Sequence, residues 1–390
     1  MSNIKKYKFA IAGAGFSGAV LARELVTSLP CEVIIFEERD HTGGNCHTSR
    51  DIDTGVMVYR YGPHIFNTNI NINEVWDYVH EFCNMGTYIY QVKANTSKDI
   101  FSLPINLNTT NEIYNKRFTP REAMEFISNE IDSTIIEPKN FEEVAIASVG
   151  RPIYEILIRD YSTKQLGCHP KEIPTEVVKR LPIRYNYNNN YHKSKYVRMP
   201  ENGYSGLIDN ILNHPNISIK LNSIATRSLI EEYDHLYYCG PIDKFYNYKF
   251  GELGYRTVFW KNFVVDGDFQ GISQMNYTES NPEFTRIIEH KHFNPWENHK
   301  KSYCSTEYSK ETTKLDIPYF PKKLEEDLIK FNSYMKYAIE NESEISFLGR
   351  LATYRYLDMD KTIFEEIQFA KDYLVSISSC QPPVFPKQDL

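Results

Sequence analysis

The chain has no run of 18 apolar residues, so nothing in it predicts a membrane span. Basic charge is not in excess. Lys and Arg number 44 against 51 Asp and Glu, a formal net charge of −7. That excludes a broad basic face and with it a nucleic-acid partner, while leaving room for a local basic pocket. Cysteine is sparse and unpatterned: the seven stand at 31, 46, 83, 168, 239, 304 and 380, an odd number with no CxxC pair. Neither a disulfide framework nor a zinc site is expected, and reduced thiols in a cytoplasmic protein account for them. No internal repeat is visible. Tryptophan is scarce at 3, whereas tyrosine reaches 29 and phenylalanine 22. Tyrosine on that scale suits surfaces that stack rings and hydrogen-bond through hydroxyls; a compositional bias toward Asn, Ile and Lys offers a blander reason. The 390 residues make two or three domains at about 150 residues each.

Residues 7–12 form a short apolar run, followed by Gly13-Ala14-Gly15-Phe16-Ser17-Gly18 and then by Ala19, Ala22, Leu25 and Val26 at helical spacing. A second apolar run, 32–36, ends at Glu37. Strand, tight turn, helix and strand make a βαβ unit and predict a parallel sheet. Residues 73–84 read as an amphipathic helix. From about 109 to 180 the pattern is helical, with a capping box at Thr119–Glu122, a cap at Asn140, and a helix through PIYEILIRDYSTKQ that puts Ile153, Ile156, Leu157 and Tyr161 on one side. Residues 181–200 are polar, basic and rich in Tyr and Asn, fitting either a solvated loop or a mobile cover over an anion. A helix at 203–214 and strands near 217–221 and 235–240 return to α/β character; 255–293 reads as antiparallel sheet, and 361–377 as a last helix.

Gly13, Gly15 and Gly18 fit G-x-G-x-x-G in its βαβ setting. The first permits the turn, the second lets a pyrophosphate approach the backbone, and the third allows helix and strand to pack closely. Glu37 stands where an acid takes the ribose hydroxyls of a dinucleotide. The turn does not separate NAD from FAD. The next residues do: Glu37, Arg39, Gly43, Gly44 and Asn45 resemble the E-x-R-x-x-x-G-G-N pattern of large flavoproteins, which favours FAD.

Together with YRYGPHIFNT, RDYSTKQLG, LPIRYNYNNNY, YTESNPEFTRIIEHKHF and GRLATYRYLDMD, these segments resemble the prokaryotic UDP-galactopyranose mutase family in order and across nearly the whole chain. The resemblance implies an α/β fold: a discontinuous Rossmann-like FAD-binding domain (1–85, 203–245, 335–390), a helical domain (105–200) with a mobile loop at about 168–195, and a six-stranded antiparallel sheet domain (86–104, 246–334). It implies isomerisation of a nucleotide sugar between pyranose and furanose forms, using reduced FAD as a covalent nucleophile through N5. It also implies a homodimer in the cytoplasm, NAD(P)H or a flavin reductase as electron source, and a role in cell-surface polysaccharide synthesis.

Residue by residue, the resemblance assigns catalysis to Arg180, Arg286 and His64. It assigns the cofactor to Gly13, Gly15, Phe16, Ser17, Gly18, Glu37, Glu38, Arg39, Gly44, Asn45, His64, Ile65, Arg350, Tyr356, Asp358 and Met359. It assigns the substrate to Tyr161, Tyr191, Asn276, Tyr356 and the two arginines, whose guanidinium forks suit a diphosphate. Without the resemblance, Arg180 reads as a surface residue near a helix end, Arg286 as the partner of Glu289, and the tyrosines as core or rim packing. Three substrate-site positions depart from the family pattern: Leu166 replaces a tryptophan, Asn67 a histidine, and Phe320 a tyrosine. Changed donors point to a changed sugar or base. A dTDP-linked 6-deoxy sugar such as dTDP-fucopyranose, or UDP-N-acetylgalactosamine, therefore rivals UDP-galactose. A net redox flavoenzyme of the amine-oxidase type is the alternative class.

Overall fold

A strand buried on both faces has to alternate its side chains between two cores. Tyr7–Ala12 (β1) does so: Phe9 and Ile11 enter one apolar cluster, Ala10 and Ala12 another. The computed structural model describes residues 6–68, 72–175, 184–376 and 382–386. β1, the helix Phe16–Ser28 (α1) and the strand Cys31–Phe36 (β2) form the expected βαβ unit. β1 and β2 lie within a five-stranded parallel sheet in the order Ile217–Lys220, β2, β1, His235–Tyr238, Ile345–Phe347. On one face, α1 packs against the helices Gly203–Leu212 and Met359–Ser376. On the other, Phe331, Tyr334 and Ala338 of the helix Glu325–Asn341 close the second core.

The middle of the chain is helical, and its caps stand where the sequence predicts them. Thr119 and Glu122 form a reciprocal capping box on Pro120–Glu130, and Asn140 caps Phe141–Val149. The next helix is not continuous. A π turn, Tyr154–Ile158, separates Arg151–Ile153 from Arg159–Leu166. The extra residue in that turn breaks the helical phase. Ile153 and Leu157 belong to the helical core, whereas Tyr161 does not share it.

A seven-stranded sheet completes the fold, in the order Phe320–Pro321, Tyr255–Asp266, Lys301–Glu311, Arg286–Glu289, Gln274–Tyr277, Val92–Asn95, Ile100–Leu103. It differs from the implied six antiparallel strands by the two-residue edge strand and by one parallel pairing, Gln274–Tyr277 with Val92–Asn95. That pair is not joined by a hairpin, so nothing forces it to be antiparallel. The polar stretch 181–200 is not all loop. Tyr196–Pro200 is the central strand of a small antiparallel sheet with Phe66–Thr68 and Met85–Thr87. Among the described residues no helix is long and apolar enough to cross a membrane.

Candidate active site

One cleft runs along the carboxyl ends of the parallel strands, where open α/β sheets place their ligands. The glycine turn after β1, Glu37 after β2, Cys239 after the strand His235–Tyr238, and Arg350 after the strand Ile345–Phe347 all line it. Gly13 has φ +105° and donates its N–H to the Phe36 carbonyl at 2.8 Å. A Cβ on Gly18 would lie 2.0 Å from the Gly13 carbonyl oxygen. The second glycine pair meets the first backbone to backbone: a Cβ on Gly44 would come within 3.1 Å of the Gly15 Cα, and Gly43 donates its N–H to the Ala14 carbonyl at 2.9 Å.

Of the residues predicted to hold the cofactor, Gly13, Gly15, Phe16, Ser17, Gly18, Glu37, Glu38, Arg39, Gly44, Asn45, His64, Arg350 and Met359 line this cleft. The buried Glu37 carboxylate accepts from the N–H groups of Ala14 (2.8 Å) and Arg39 (3.0 Å), which leaves lone pairs for a ribose. Arg39 lies over the Tyr61 ring at 4.6 Å and donates to Asn45 Oδ1 at 2.8 Å. Glu38 is ion-paired with Lys244 near solvent at 2.7 Å. Ile65, Tyr356 and Asp358 do not line the cleft. Ile65 sits in the apolar core, and Tyr356 lies under the Arg350 guanidinium at 5.0 Å, beside Phe320. Asp358 accepts from Thr362 through its backbone carbonyl at the start of the last helix.

His64 joins the two ends of the site. Burial, then the charges of Arg350 and Arg286, push its imidazole down to about 4, so it is neutral near pH 7. Its Nδ1 is buried and has no partner. Paired glycine loops, a buried acid after β2 and a buried imidazole nitrogen still to be satisfied fit a flavin dinucleotide.

At the far end, Arg286 is ion-paired to the buried Glu307 (Nη2 to Oε2, 2.6 Å) and donates through Nη1 to Gln274 Oε1 at 3.1 Å. Burial opposes its charge, but Glu307, Tyr161 and Tyr90 outweigh that and hold it fully protonated. The partner read from the sequence, Glu289, is wrong for a geometric reason: residues three apart on a strand face opposite sides. Glu289 instead accepts from the N–H groups of Phe269, Gln270 and Gly271 and from the Ser302 hydroxyl.

Tyr90 donates its hydroxyl to the same Gln274 oxygen at 2.7 Å, and Gln274 donates to the buried Asn276 at 2.8 Å. Burial raises the hydroxyls of Tyr161 and Tyr191, and both feel the Arg286 charge. The structure thus gathers Arg286, Tyr161, Tyr191 and Asn276 around one network. Glu307, Gln274 and Tyr90 belong to it and were not predicted. An acid in a strand of hydroxyl and aromatic residues was the one signal for Glu307, and its partner could not be read without the register.

The departing positions are placed as follows. Leu166 packs against the helical core. Asn67 donates to the Ile65 carbonyl and accepts from Ser194 at 3.0 Å. Phe320 lies 5.9 Å from the Tyr356 ring. Arg180 falls outside the described residues.

Beneath the glycine turn, Ser17 donates its hydroxyl to Glu366, whose other oxygen is buried without a partner. Burial pushes this carboxyl up to about 8. An acid with a raised folded pKa contributes stability below its unfolded pKa and loses it as pH rises through the folded value. Glu366→Gln is therefore expected to gain in Tm relative to the parent between about pH 5 and pH 9. A Tm difference that stays flat over that range would show that Glu366 is not held neutral.

The family description UDP-galactopyranose mutase matches residues 156–356, and that of the NAD(P)-binding Rossmann-like domain matches residues 11–82. A probable UDP-galactopyranose mutase of Klebsiella pneumoniae is 45% identical over 377 residues, covering 96% of this chain and 97% of that one. The dTDP-fucopyranose mutase of Escherichia coli is 44% identical over 374 residues, covering 94% and 98%. The crystal structure of a reduced UDP-galactopyranose mutase superposes with a TM-score of 0.71 at 16% identity, covering 96% of each chain.

Proposed function

The chain belongs to the UDP-galactopyranose mutase family, and on that footing we propose that it interconverts the pyranose and furanose forms of a nucleotide sugar. It is an isomerase with FAD as its cofactor. The observation that carries the reading is Arg286, a charged fork held by buried Glu307 and placed near neutral His64, which lines the glycine-rich cleft.

Reduced FAD, when bound, supplies the nucleophile for the anomeric carbon of the sugar. The chain's own residues bind and orient. Arg286 takes the diphosphate and stabilises the charge it gains as its bond to the sugar breaks; the buried setting strengthens that attraction. Tyr191 and Tyr356 add hydroxyl contacts to the diphosphate, Tyr161 stacks on the base, and Asn276 meets the nucleotide. His64, neutral and with Nδ1 free, offers a hydrogen bond between flavin and sugar. Asp358 stands near the reacting sugar, and Arg180 supplies a second guanidinium.

The two relatives, 45% and 44% identical, carry different nucleotide sugars in their names, so the choice of nucleotide and sugar falls to the site's own residues. Leu166, Asn67 and Phe320 lie at the positions expected to discriminate. The test is a screen: dithionite-reduced protein with UDP-galactofuranose, dTDP-fucofuranose and UDP-N-acetylgalactofuranosamine, with the pyranose product followed by chromatography. Conversion of one in clear preference is expected, and conversion of none would overturn the proposal. The same reading carries a cytoplasmic homodimer reduced by NAD(P)H or a flavin reductase.

A further inference from the structure

Arg184 is a buried cation, 5% exposed, that burial alone perturbs; among the described residues no carboxylate pairs with it. A buried charge without a counter-ion is costly unless hydrogen bonds meet it. Here carbonyl oxygens meet both Nη atoms, while Nε is buried without a partner among the described residues. Nη1 donates to the carbonyls of Asn188 (3.1 Å) and Asn190, and Nη2 to that of Tyr191 at 3.3 Å. The backbone N–H of Arg184 is tied to the Ile105 carbonyl at 3.0 Å.

The segment around it is also tied from residues 106 and 107: Leu107 donates its N–H to the Asn186 carbonyl at 3.0 Å, and Asn106 Nδ2 to that of Asn188 at 3.4 Å. Asn186 and Asn188 make local turns by accepting from the N–H groups of Asn188 and Asn190, and Asn106 reaches Asn189 at 2.7 Å. Each of these asparagine turns spans only two residues. A planar guanidinium that gathers three carbonyls ties residues 188, 190 and 191 to one another, which a lysine cannot do as well.

The last of those carbonyls belongs to Tyr191. The N–H of Tyr191 is held by the Tyr90 carbonyl at 2.7 Å, and its ring stands edge-on to Tyr90 at 5.4 Å. Tyr90 in turn shares Gln274 with Arg286. We propose that Arg184 is a positioning residue for nucleotide binding: by drawing together the carbonyls of Asn188, Asn190 and Tyr191 it sets the Tyr191 side chain against the Arg286 cluster. This rests on the assignment of Tyr191 to the diphosphate made above.

The test is a double-mutant cycle on the oxidised holoprotein, titrating UDP and dTDP by calorimetry with the parent, R184Q, Y191F and R184Q/Y191F. Each single change is expected to weaken nucleotide binding about tenfold, and the double change no further than the weaker single, because both remove one interaction. FAD content stays unchanged. Arg184 acting only on stability would instead leave the R184Q affinity at the parent value; losses that multiply to about a hundredfold would mean two independent effects. Either result overturns the inference. Should R184Q fail to fold, R184K carries the same cycle, since it keeps the charge and reaches fewer carbonyls. If the parent binds neither nucleotide, the functional reading itself fails, and that outcome is distinct from a failure confined to Arg184.

Discussion

Arg286→Ala is expected to lower turnover by about two to three orders of magnitude, the scale seen when a charge-stabilising donor is removed from a buried site. The loss has two sources. On the proposed reading the diphosphate loses its fork, and Glu307, 2% exposed, is left buried without its cation. Removing one member of a buried pair costs about 3–5 kcal/mol, so the variant also melts lower. Arg286→Lys restores charge without the bidentate geometry and should recover only part of the rate. Arg286→Ala combined with Glu307→Gln separates the two sources: neutralising Glu307 should return much of the lost stability and none of the activity. Steady-state rates on reduced enzyme, UDP titration and thermal melting together read this out. Near-parental turnover in Arg286→Ala would remove the basis of the proposed mechanism.

Gly18→Ala should abolish the yellow holoprotein. Its Cβ would stand 2.0 Å from the Gly13 carbonyl oxygen and 3.1 Å from a methyl of Ile11. The first obstacle is backbone, so α1 has to move off β1, taking with it the turn proposed to hold the pyrophosphate. Gly15→Ala makes an informative contrast. Its Cβ would meet only the Gly44 Cα at 3.8 Å, an ordinary contact. That variant should fold, and because its methyl projects where the two glycine loops face the cleft, it should bind FAD at least about tenfold more weakly. Flavin absorbance per chain and circular dichroism distinguish the two cases. A Gly18→Ala protein that purifies folded and fully flavinated would contradict the packing argument.

These two sites differ in how far they could be read before the fold was known. The glycine turn, the helix it opens and the acid that follows are set within about forty residues by turn sterics and side-chain period. The caps at Thr119 and Asn140 are equally local, because a hydroxyl or amide satisfies an N–H three residues away. The glycine-rich cleft was therefore legible as a string of letters. So was its family pattern, in which Arg286, Tyr161, Tyr191 and Asn276 already stood out as residues.

The partners of those residues were not legible. Glu307 pairs with Arg286 because their strands are in register at that pair; the register depends on the whole sheet, and Glu289 was the nearer acid in the chain. The π turn before Tyr161, the strand at Tyr196–Pro200 and the carbonyls gathered by Arg184 likewise follow from packing between distant segments. Local backbone chemistry is written in neighbouring letters. The pairing of buried charges and carbonyls is chosen by which surfaces meet, and that exists only once the chain has folded.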